Sequence, residues 1–248
     1  MDLPRSFTIR ESSHRVINPI TAEKLATLGR ALPLDVGTTV LDLACGKGEL
    51  LCTWARDHEI AGTGVDISTV FIAAADARAD ELGVTGAVEF VHDDASTYVS
   101  PEPVDVGSCC GATWIGDGVE GTIRLLERSL RRGGLLLVGE PYWRLDPPDQ
   151  AALEGCDVES PDDYSTLAGL IERFGKAGWD TVEMVLADQD SWDRYAAAQW
   201  LNLRTWLDAH PDDELADGLR AELHTAPARH ARYQREYVGW GVFALMKR

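Results

Sequence analysis

VLDLACGKGEL, residues 40–50, joins an apolar run to a glycine-bearing turn and then to helix-forming residues. A strand that passes through such a turn into a helix presents backbone N–H groups to an anionic or polar ligand. A dinucleotide fingerprint needs glycine at positions 44, 46 and 49, but Ala44 and Glu49 stand at two of them. A nucleotide P-loop needs Ser or Thr directly after Lys47, where Gly48 stands. The stretch therefore predicts a ligand-binding turn that fits neither phosphate motif.

The chain is strongly acidic, with 41 Asp and Glu against 23 Lys and Arg in 248 residues and a formal net charge of −18. A phosphate backbone or an anionic membrane would repel such a protein, so we expect neither nucleic acid nor membrane as a partner. The N-terminal residues lack the basic segment followed by an apolar segment that is typical of a signal peptide. No apolar run reaches the roughly 18 residues that a membrane-spanning helix needs. We expect a cytoplasmic protein, either a monomer or a homodimer.

Cysteine and histidine spacing points to no metal. The six histidines are scattered, without an HExxH pattern. The five cysteines contain no CxxC pair, and their odd number favours free thiols over a disulfide framework. They are Cys45, Cys52, Cys109, Cys110 and Cys156.

Strand and helix signals alternate through the chain, which predicts an α/β protein with a mostly parallel sheet and helices on both faces. The predicted strands are 40–43, 62–66, 88–91, 104–108, 135–140, 180–187 and the closing GWGVFALMKR. The predicted helices are 19–31 behind an Asn18 cap, 48–57, 70–82, 120–131 ended by Gly133-Gly134, 163–177 and the stretch 190–236. We expect the last strand to insert antiparallel beside its neighbour.

One domain, 1–248, accounts for this pattern, because α/β folds often reach this length. Residues 1–31 form an N-terminal arm and helix before the alternating core. Residues 189–236 form a helical insert, which we expect to act as a substrate lid over the strand ends, where ligands of open α/β sheets bind.

In order and spacing, four segments resemble the motifs of class I S-adenosylmethionine-dependent methyltransferases. The opening stretch is similar to the first motif, with Asp42, Ala44, Gly46 and Gly48 on its positions, although glycine is usual where Ala44 stands. GVDIS, HDDAS and SCCGATW resemble the second, third and fourth motifs. LCTWARDH, GEPYWR, EMVLADQ and WDRY resemble a narrower group, the YjhP-like methyltransferases.

The resemblance implies a Rossmann-like fold, S-adenosylmethionine as the cofactor and methyl transfer to a small-molecule acceptor by in-line displacement. It assigns Asp66, with Ile67 beside it, to the ribose hydroxyls. It assigns Asp94 to the adenine amino group, the Ala95 backbone to the adenine ring, and the backbone near Cys110 to the methionine part.

The residues themselves are compatible with this cofactor. A carboxylate about 20 residues past a glycine turn can accept hydrogen bonds from a ribose diol. Glu49 at the helix start is tolerable for a cofactor without a pyrophosphate, whereas it would repel a diphosphate. Two alternatives stay open: an NAD-dependent oxidoreductase, and a protein that binds S-adenosylmethionine without transferring its methyl group.

Candidate catalytic residues are few. His14 lies in the arm, which in methyltransferases of this fold commonly covers the cofactor, so it is a candidate general base or substrate ligand. Glu140 ends the fifth strand, from which GEPYWR is expected to run toward the insert. The four histidines outside the arm and the third motif look like helix-surface residues; they are His58, His210, His224 and His230.

Substrate contacts are expected from aromatic and cationic residues at the ligand edge. Trp114, Tyr142 and Trp143 follow strand ends, and Tyr195 and Trp200 lie on the insert. Arg144 and Arg204 are candidate anchors for a substrate carboxylate, because guanidinium binds carboxylates bidentately.

Overall fold

The computed structural model describes residues 2–248 around a seven-stranded sheet in the order β3-β2-β1-β4-β5-β7-β6. The first five strands are parallel, and β7 lies between β5 and β6, antiparallel to both. The predicted fold class is confirmed. The strands are β1 (Thr39–Leu43), β2 (Ala61–Asp66), β3 (Val88–His92), β4 (Val104–Cys110), β5 (Leu130–Trp143), β6 (Trp179–Leu186) and β7 (Val238–Lys247).

Two layers of helices cover the sheet, because side chains of the buried strands alternate between its faces. Leu41 and Leu43 pack in the cluster that contains α5 and α7, whereas Val40 packs in the cluster that contains α2 and α3. The helices are α1 (Arg5–Arg10), α2 (Ala22–Ala31), α3 (Glu49–His58), α4 (Thr69–Leu82), α5 (Val119–Glu127), α6 (Gln150–Gly155), α7 (Leu167–Lys176), α8 (Gln189–Ala209), α9 (Ala216–Arg229) and α10 (Arg235–Tyr237).

Three predicted helix boundaries are wrong, one of them the start of α7, which lies at Leu167 rather than at 163. Helix α2 begins three residues later than the Asn18 cap implied, because the Thr21 hydroxyl accepts the capping bond from Lys24 N at 3.3 Å. Helix α5 ends at Glu127 rather than at 131. The glycines at 133 and 134 lie instead inside β5, where its register against β4 shifts and Gly133 takes a φ of +76°.

The N-terminal arm, residues 2–18, contains a short helix that the sequence pattern did not predict. Ile9 of α1 is buried against Leu203 and Leu207 of α8 and Leu219 of α9. Arm and insert therefore share a small core of their own, away from the sheet. Between residues 2 and 248, no helix has both the length and the apolar character that crossing a membrane requires.

Candidate functional site

The turn after β1 depends on left-handed backbone at three positions. Gly46 and Gly48 have φ values of 56° and 69°, and Ala44 has 57°. A Cβ at Gly48 would lie 2.5 Å from the Phe90 ring, so only glycine fits there. Ala44 accepts a conformation that costs a non-glycine residue roughly 1–2 kcal/mol. The turn is thus held in a defined, strained shape at the carboxyl edge of the sheet.

Asp66 braces this turn from the end of β2. Its Oδ2 accepts a hydrogen bond from Gly46 N at 2.8 Å, and its Oδ1 accepts one from Ser68 N at 2.9 Å. Burial raises the pKa of Asp66 above its usual value. Each carboxylate oxygen has a further lone pair, so Asp66 can still accept hydrogen bonds from a ligand.

Asp42, at the end of β1, is a buried carboxylate with an unused acceptor. Its Oδ1 has no hydrogen-bond partner among the described residues. Burial raises the pKa of Asp42 to about 7, against a lowering by the Ser108 hydroxyl. A small cavity of about 60 Å³ borders Asp42, Gly46 and Cys110. A buried acceptor beside a cavity favours a ligand that brings a hydrogen-bond donor.

The remaining predicted cofactor residues follow the neighbouring strands at the same edge. Strand β2 pairs with β3 in register up to Asp66 and His92, so the segments that contain Ile67 and Asp94 leave the sheet at the same edge. The Ile67 carbonyl lies 2.9 Å from His92 Nε2. Hydrogen bonds from Ser96 lower the pKa of the exposed Asp94, and Ala95 beside it is buried.

A cavity of about 1100 Å³ opens beyond the end of β4 and beside Glu140 and Pro141 of β5. The arm, the insert and the segment 156–164 form its walls and leave it partly open to solvent. Its wall includes the predicted residues Trp114, Glu140, Tyr195 and Trp200. The structure thus gathers side chains from the two ends of the chain around one space.

Glu140 is the carboxylate that β5 delivers to this cavity. Its Oε2 accepts a hydrogen bond from Thr113 Oγ1 at 2.7 Å. Burial raises the pKa of Glu140 to about 7, although the Thr113 hydrogen bond opposes that effect. A carboxylate with this pKa exchanges protons near neutral pH.

GEPYWR runs to the insert as expected, where Trp143 packs with Trp192 and Tyr233, but Tyr142 and Trp143 are not part of the cavity wall. Strand β5 continues through both residues, which pair with Gly239 and Val238 of β7. Tyr142 packs over Gly239, and the Trp143 indole N–H donates to the Pro161 carbonyl at 2.7 Å. The sheet therefore holds both rings.

Neither candidate arginine anchor reaches the cavity. Arg204 is exposed on α8 and forms an ion pair with Asp208 at 2.5 Å, one helical turn along. Arg144 Nη1 donates to Gln189 Oε1 at 2.8 Å.

His14 is enclosed by protein groups on both nitrogens. Its Nδ1 lies 2.8 Å from Glu11 Oε2, at ion-pair distance but outside hydrogen-bond alignment. Its Nε2 lies 3.1 Å from the Tyr195 carbonyl oxygen, and the centroids of the His14 and Tyr195 rings are 4.3 Å apart. This arrangement orients His14 toward α8 and leaves it poorly placed as a free base.

Glu11 is one of the cavity residues that sequence reasoning missed. It is 1% exposed, and its carboxylate accepts hydrogen bonds from Tyr195 Oη at 3.0 Å and Gln199 Nε2 at 2.7 Å. Lys47, from the glycine turn, donates to the Glu11 carbonyl at 2.8 Å and the Ser12 carbonyl at 3.0 Å. The spacing of Tyr195 and Gln199 on one helix face was the available signal, but nothing local named their partner.

Ion pairs line the outer part of the cavity. Arg10 binds Glu222 through two hydrogen bonds of 2.8 and 2.9 Å, and Arg229 pairs with Asp157.

His230 is not a helix-surface residue as expected. It is 3% exposed, its Nε2 lies 2.9 Å from Asp193 Oδ1, and a π-helical turn, His230–Gln234, begins at this residue.

Metal ligands do not gather anywhere in the described chain: across residues 2–248, no three His, Cys, Asp or Glu side chains form a candidate metal site.

Some known proteins resemble this chain over its whole length and others over part of it. A family model described as a methyltransferase domain matches residues 40–134. YjhP of Escherichia coli strain K12 is 56% identical over 248 residues, which are 100% of both chains. The crystal structure of a SAM-dependent methyltransferase from Geobacter sulfurreducens in complex with S-adenosyl-L-homocysteine has a TM-score of 0.98 and 61% identity, covering 100% of this chain and 99% of that one. The 27-O-demethylrifamycin SV methyltransferase of Amycolatopsis mediterranei (strain S699) is 28% identical over 141 residues, which are 54% of this chain and 47% of that one.

Proposed function

We propose, given that this chain belongs to the S-adenosylmethionine-dependent methyltransferases, that its methyl acceptor is a small molecule held in the cavity between arm and insert. The family makes S-adenosylmethionine the cofactor, which removes the nicotinamide alternative. The observation that carries the proposal is the half-open cavity of about 1100 Å³ at the strand ends. That volume suits a small ligand rather than a macromolecule.

The residues of the glycine turn fit this cofactor. The unpartnered Oδ1 of Asp42 favours a ligand that brings an ammonium donor, as an amino-acid end does. We assign Asp66 and Ile67 to the ribose, Asp94 and Ala95 to the adenine, and the turn of Ala44, Gly46 and Gly48 with Cys110 to the amino-acid part. Bound there, S-adenosylmethionine supplies a methyl group on a positively charged sulfonium, already activated for displacement.

Glu140 is our candidate general base. It faces the cavity, and its raised pKa of about 7 lets it take a proton from an acceptor at neutral pH. Base assistance of this kind contributes typically about 10²–10⁴-fold. Trp114, Tyr195 and Trp200 form walls that align an acceptor, and in-line transfer depends on that alignment.

His14 has a different role in this proposal from the one its sequence suggested. Because its nitrogens face Glu11 and the Tyr195 carbonyl, we regard it as a positioning residue for the arm. Tyr142, Trp143 and Arg204 are removed from the proposed substrate contacts, since each is held elsewhere.

Arm and insert together form the proposed lid. Both lie over the strand ends, and they share hydrogen bonds and a small core. A closed cover excludes water during transfer and must open for exchange of acceptor and product.

Three further parts of the proposal concern location and partners. The five cysteines are free in the described structure, which suits a reducing compartment such as the cytoplasm. The net charge of −18 disfavours a nucleic-acid substrate. We keep both monomer and homodimer as assembly states.

The test is a methyl-transfer assay on the purified protein with a metabolite library, read as S-adenosylhomocysteine formed. Turnover of a small acceptor is the expected result. Tight cofactor binding without turnover of any acceptor would support the non-catalytic alternative instead.

Glu140→Gln tests the base once an acceptor is found. We expect kcat to fall about 10²-fold or more and the rise of kcat through pH 7 to disappear, because an amide cannot take the proton. Glu214→Gln, at an exposed position on the insert, is the matched control. A Glu140→Gln enzyme with the wild-type pH profile would exclude Glu140 as the base.

A further inference from the structure

We propose, building on the function above, that the methyl acceptor is an amine on an apolar body, selected by the carboxylates and aromatic rings of the large cavity.

Acidic groups outnumber basic ones in the cavity wall. Both arginines there, Arg10 and Arg229, are already in ion pairs with Glu222 and Asp157. Lys47 is turned to backbone carbonyls of the arm. The wall carboxylates that lack an arginine partner are Glu11, Asp117, Glu140 and Asp163. Glu11 lies 2.8 Å from His14 Nδ1, whereas Asp117, Glu140 and Asp163 form no ion pair among the described residues, so a cation entering this space meets these three carboxylates without a directly paired cation.

Aromatic rings make up much of the remaining wall. Ring faces attract cations as well as apolar groups, so they suit an ammonium on an aromatic or aliphatic skeleton. The aromatic side chains are Phe7, Trp114, Tyr164, Trp192, Tyr195, Trp200 and Trp240. Carboxylates and rings therefore favour the same class of ligand.

An anionic acceptor lacks its expected anchors. Arg204 is paired with Asp208 on the outer side of α8, and Arg144 binds Gln189. A carboxylate or phenolate in the cavity would face the carboxylates of Asp117, Glu140 and Asp163 at short range, where the repulsion is weakly screened. The wall thus discriminates against anionic oxygen nucleophiles.

Methylation of an amine keeps one positive charge near the carboxylates of the cavity wall throughout the transfer. The ammonium first gives a proton to a base, for which Glu140 is placed. The nitrogen lone pair then forms the N–C bond as the S–C bond breaks, and the electrons of that bond stay on sulfur. The positive charge moves from sulfonium to the new ammonium, so the wall faces one cation before and after transfer.

Binding to the protein saturated with S-adenosylhomocysteine tests the inference independently of turnover. Matched probes are 2-phenylethylamine, 2-phenylethanol and 3-phenylpropanoate, with tryptamine, tryptophol and indole-3-propanoate as a second set. By calorimetry we expect the better amine to bind about tenfold or more tightly than its matched carboxylate. Mass spectrometry should find the transferred methyl group on nitrogen.

Asp117→Asn removes one wall charge and keeps a residue that tolerates the left-handed φ of 60°. It should weaken amine binding about threefold and leave alcohol binding unchanged, because charge attraction at an exposed site is modest. Asp212→Asn, at an exposed position of the insert outside the cavity wall, should change neither.

The outcomes separate the two proposals. If S-adenosylhomocysteine binds but a carboxylate or alcohol binds better than its amine, the amine inference fails and the proposed function stands. If no amine binds at roughly 10 mM while S-adenosylhomocysteine is bound, the inference also fails. If S-adenosylhomocysteine itself does not bind, the proposed function fails.

Discussion

Asp66 connects two backbone segments through a single carboxylate. Its oxygens hold Gly46 N in the turn and Ser68 N at the start of α4. The sequence predicted a carboxylate at this place, because it ends a strand after a glycine turn. The hydrogen bond between Asp66 and Gly46 N forms because β1 and β2 are neighbours in the sheet. The sequence of the turn does not determine that pairing.

Replacement of Asp66 tests its assignment to the cofactor. Asp66→Ala should weaken S-adenosylmethionine binding by about 1.5–3 kcal/mol, because hydrogen bonds to a charged acceptor are lost. Calorimetry measures the affinity, and a melting curve checks that the variant is folded. Asp76→Ala, exposed on α4, is the matched control. Unchanged affinity in folded Asp66→Ala would remove this residue from the cofactor site.

Asp42 makes stability depend on pH. Burial raises its pKa from 3.8 to about 7, so the folded chain holds this proton more tightly than the unfolded chain. Stability from this group is therefore lost as pH rises through that window. Between pH 4 and pH 8 the free energy of unfolding of the wild type should fall by about 2–4 kcal/mol relative to Asp42→Asn.

Urea unfolding at several pH values measures this difference, with Asp76→Asn as the exposed control. Parallel pH curves for the wild type and Asp42→Asn would show that Asp42 ionises normally in the folded protein.

At the level of elements, the arm and α8 behave as one unit. Asn202 Nδ2 donates to the Arg10 carbonyl at 2.7 Å, and Tyr195 and Gln199 hold the Glu11 carboxylate. The other side of the arm is tied to the glycine turn by Lys47. The arm therefore connects the proposed cofactor turn with the proposed lid.

Tyr195→Phe tests that connection by removing one donor to the buried Glu11 carboxylate. We expect backbone amides in residues 8–18 to exchange hydrogen about 5–30-fold faster, since such a loss costs about 1–2 kcal/mol. In the wild type, S-adenosylhomocysteine with an acceptor should slow exchange in 8–18 and 190–206. Arg204→Gln, exposed on the same helix, should leave the arm unchanged. Equal exchange in Tyr195→Phe and wild type would mean that the arm is held independently of α8.

For the whole molecule, charge sets the range of partners. With a formal net charge of −18, nonspecific attraction to polyanions is absent unless basic residues gather on one face. Many of the arginines in the structure are instead paired with carboxylates, as at Arg78 with Glu49 and Arg173 with Glu120.

We therefore predict no submicromolar binding of tRNA or duplex DNA at physiological salt. A filter-binding titration at two salt concentrations measures this. Tight binding that weakens steeply with salt would reveal a basic face and reopen nucleic acid as a substrate.

The sequence by itself determined the α/β class, the order of the seven strands along the chain, and the glycine turn with Asp42 and Asp66. These features are local or periodic: alternating side chains, helix-forming runs and turn residues act within about 15 residues of one another. Short or irregular elements were not predicted, because they show no periodic pattern of their own. Helix α1 has only six residues, and the glycine pair at 133 and 134 reads as a helix end although it lies within a strand.

Only the tertiary structure decided which side chains meet in the cavity. Glu11 reaches Tyr195 and Gln199 across 184 and 188 residues, and this contact exists because α1 packs on α8 and α9. The pairing of β5 with β7 holds Tyr142 and Trp143 in the sheet, and the rotation of α8 turns Arg204 outward. Such contacts depend on how distant elements pack, and no local pattern of residues encodes that packing.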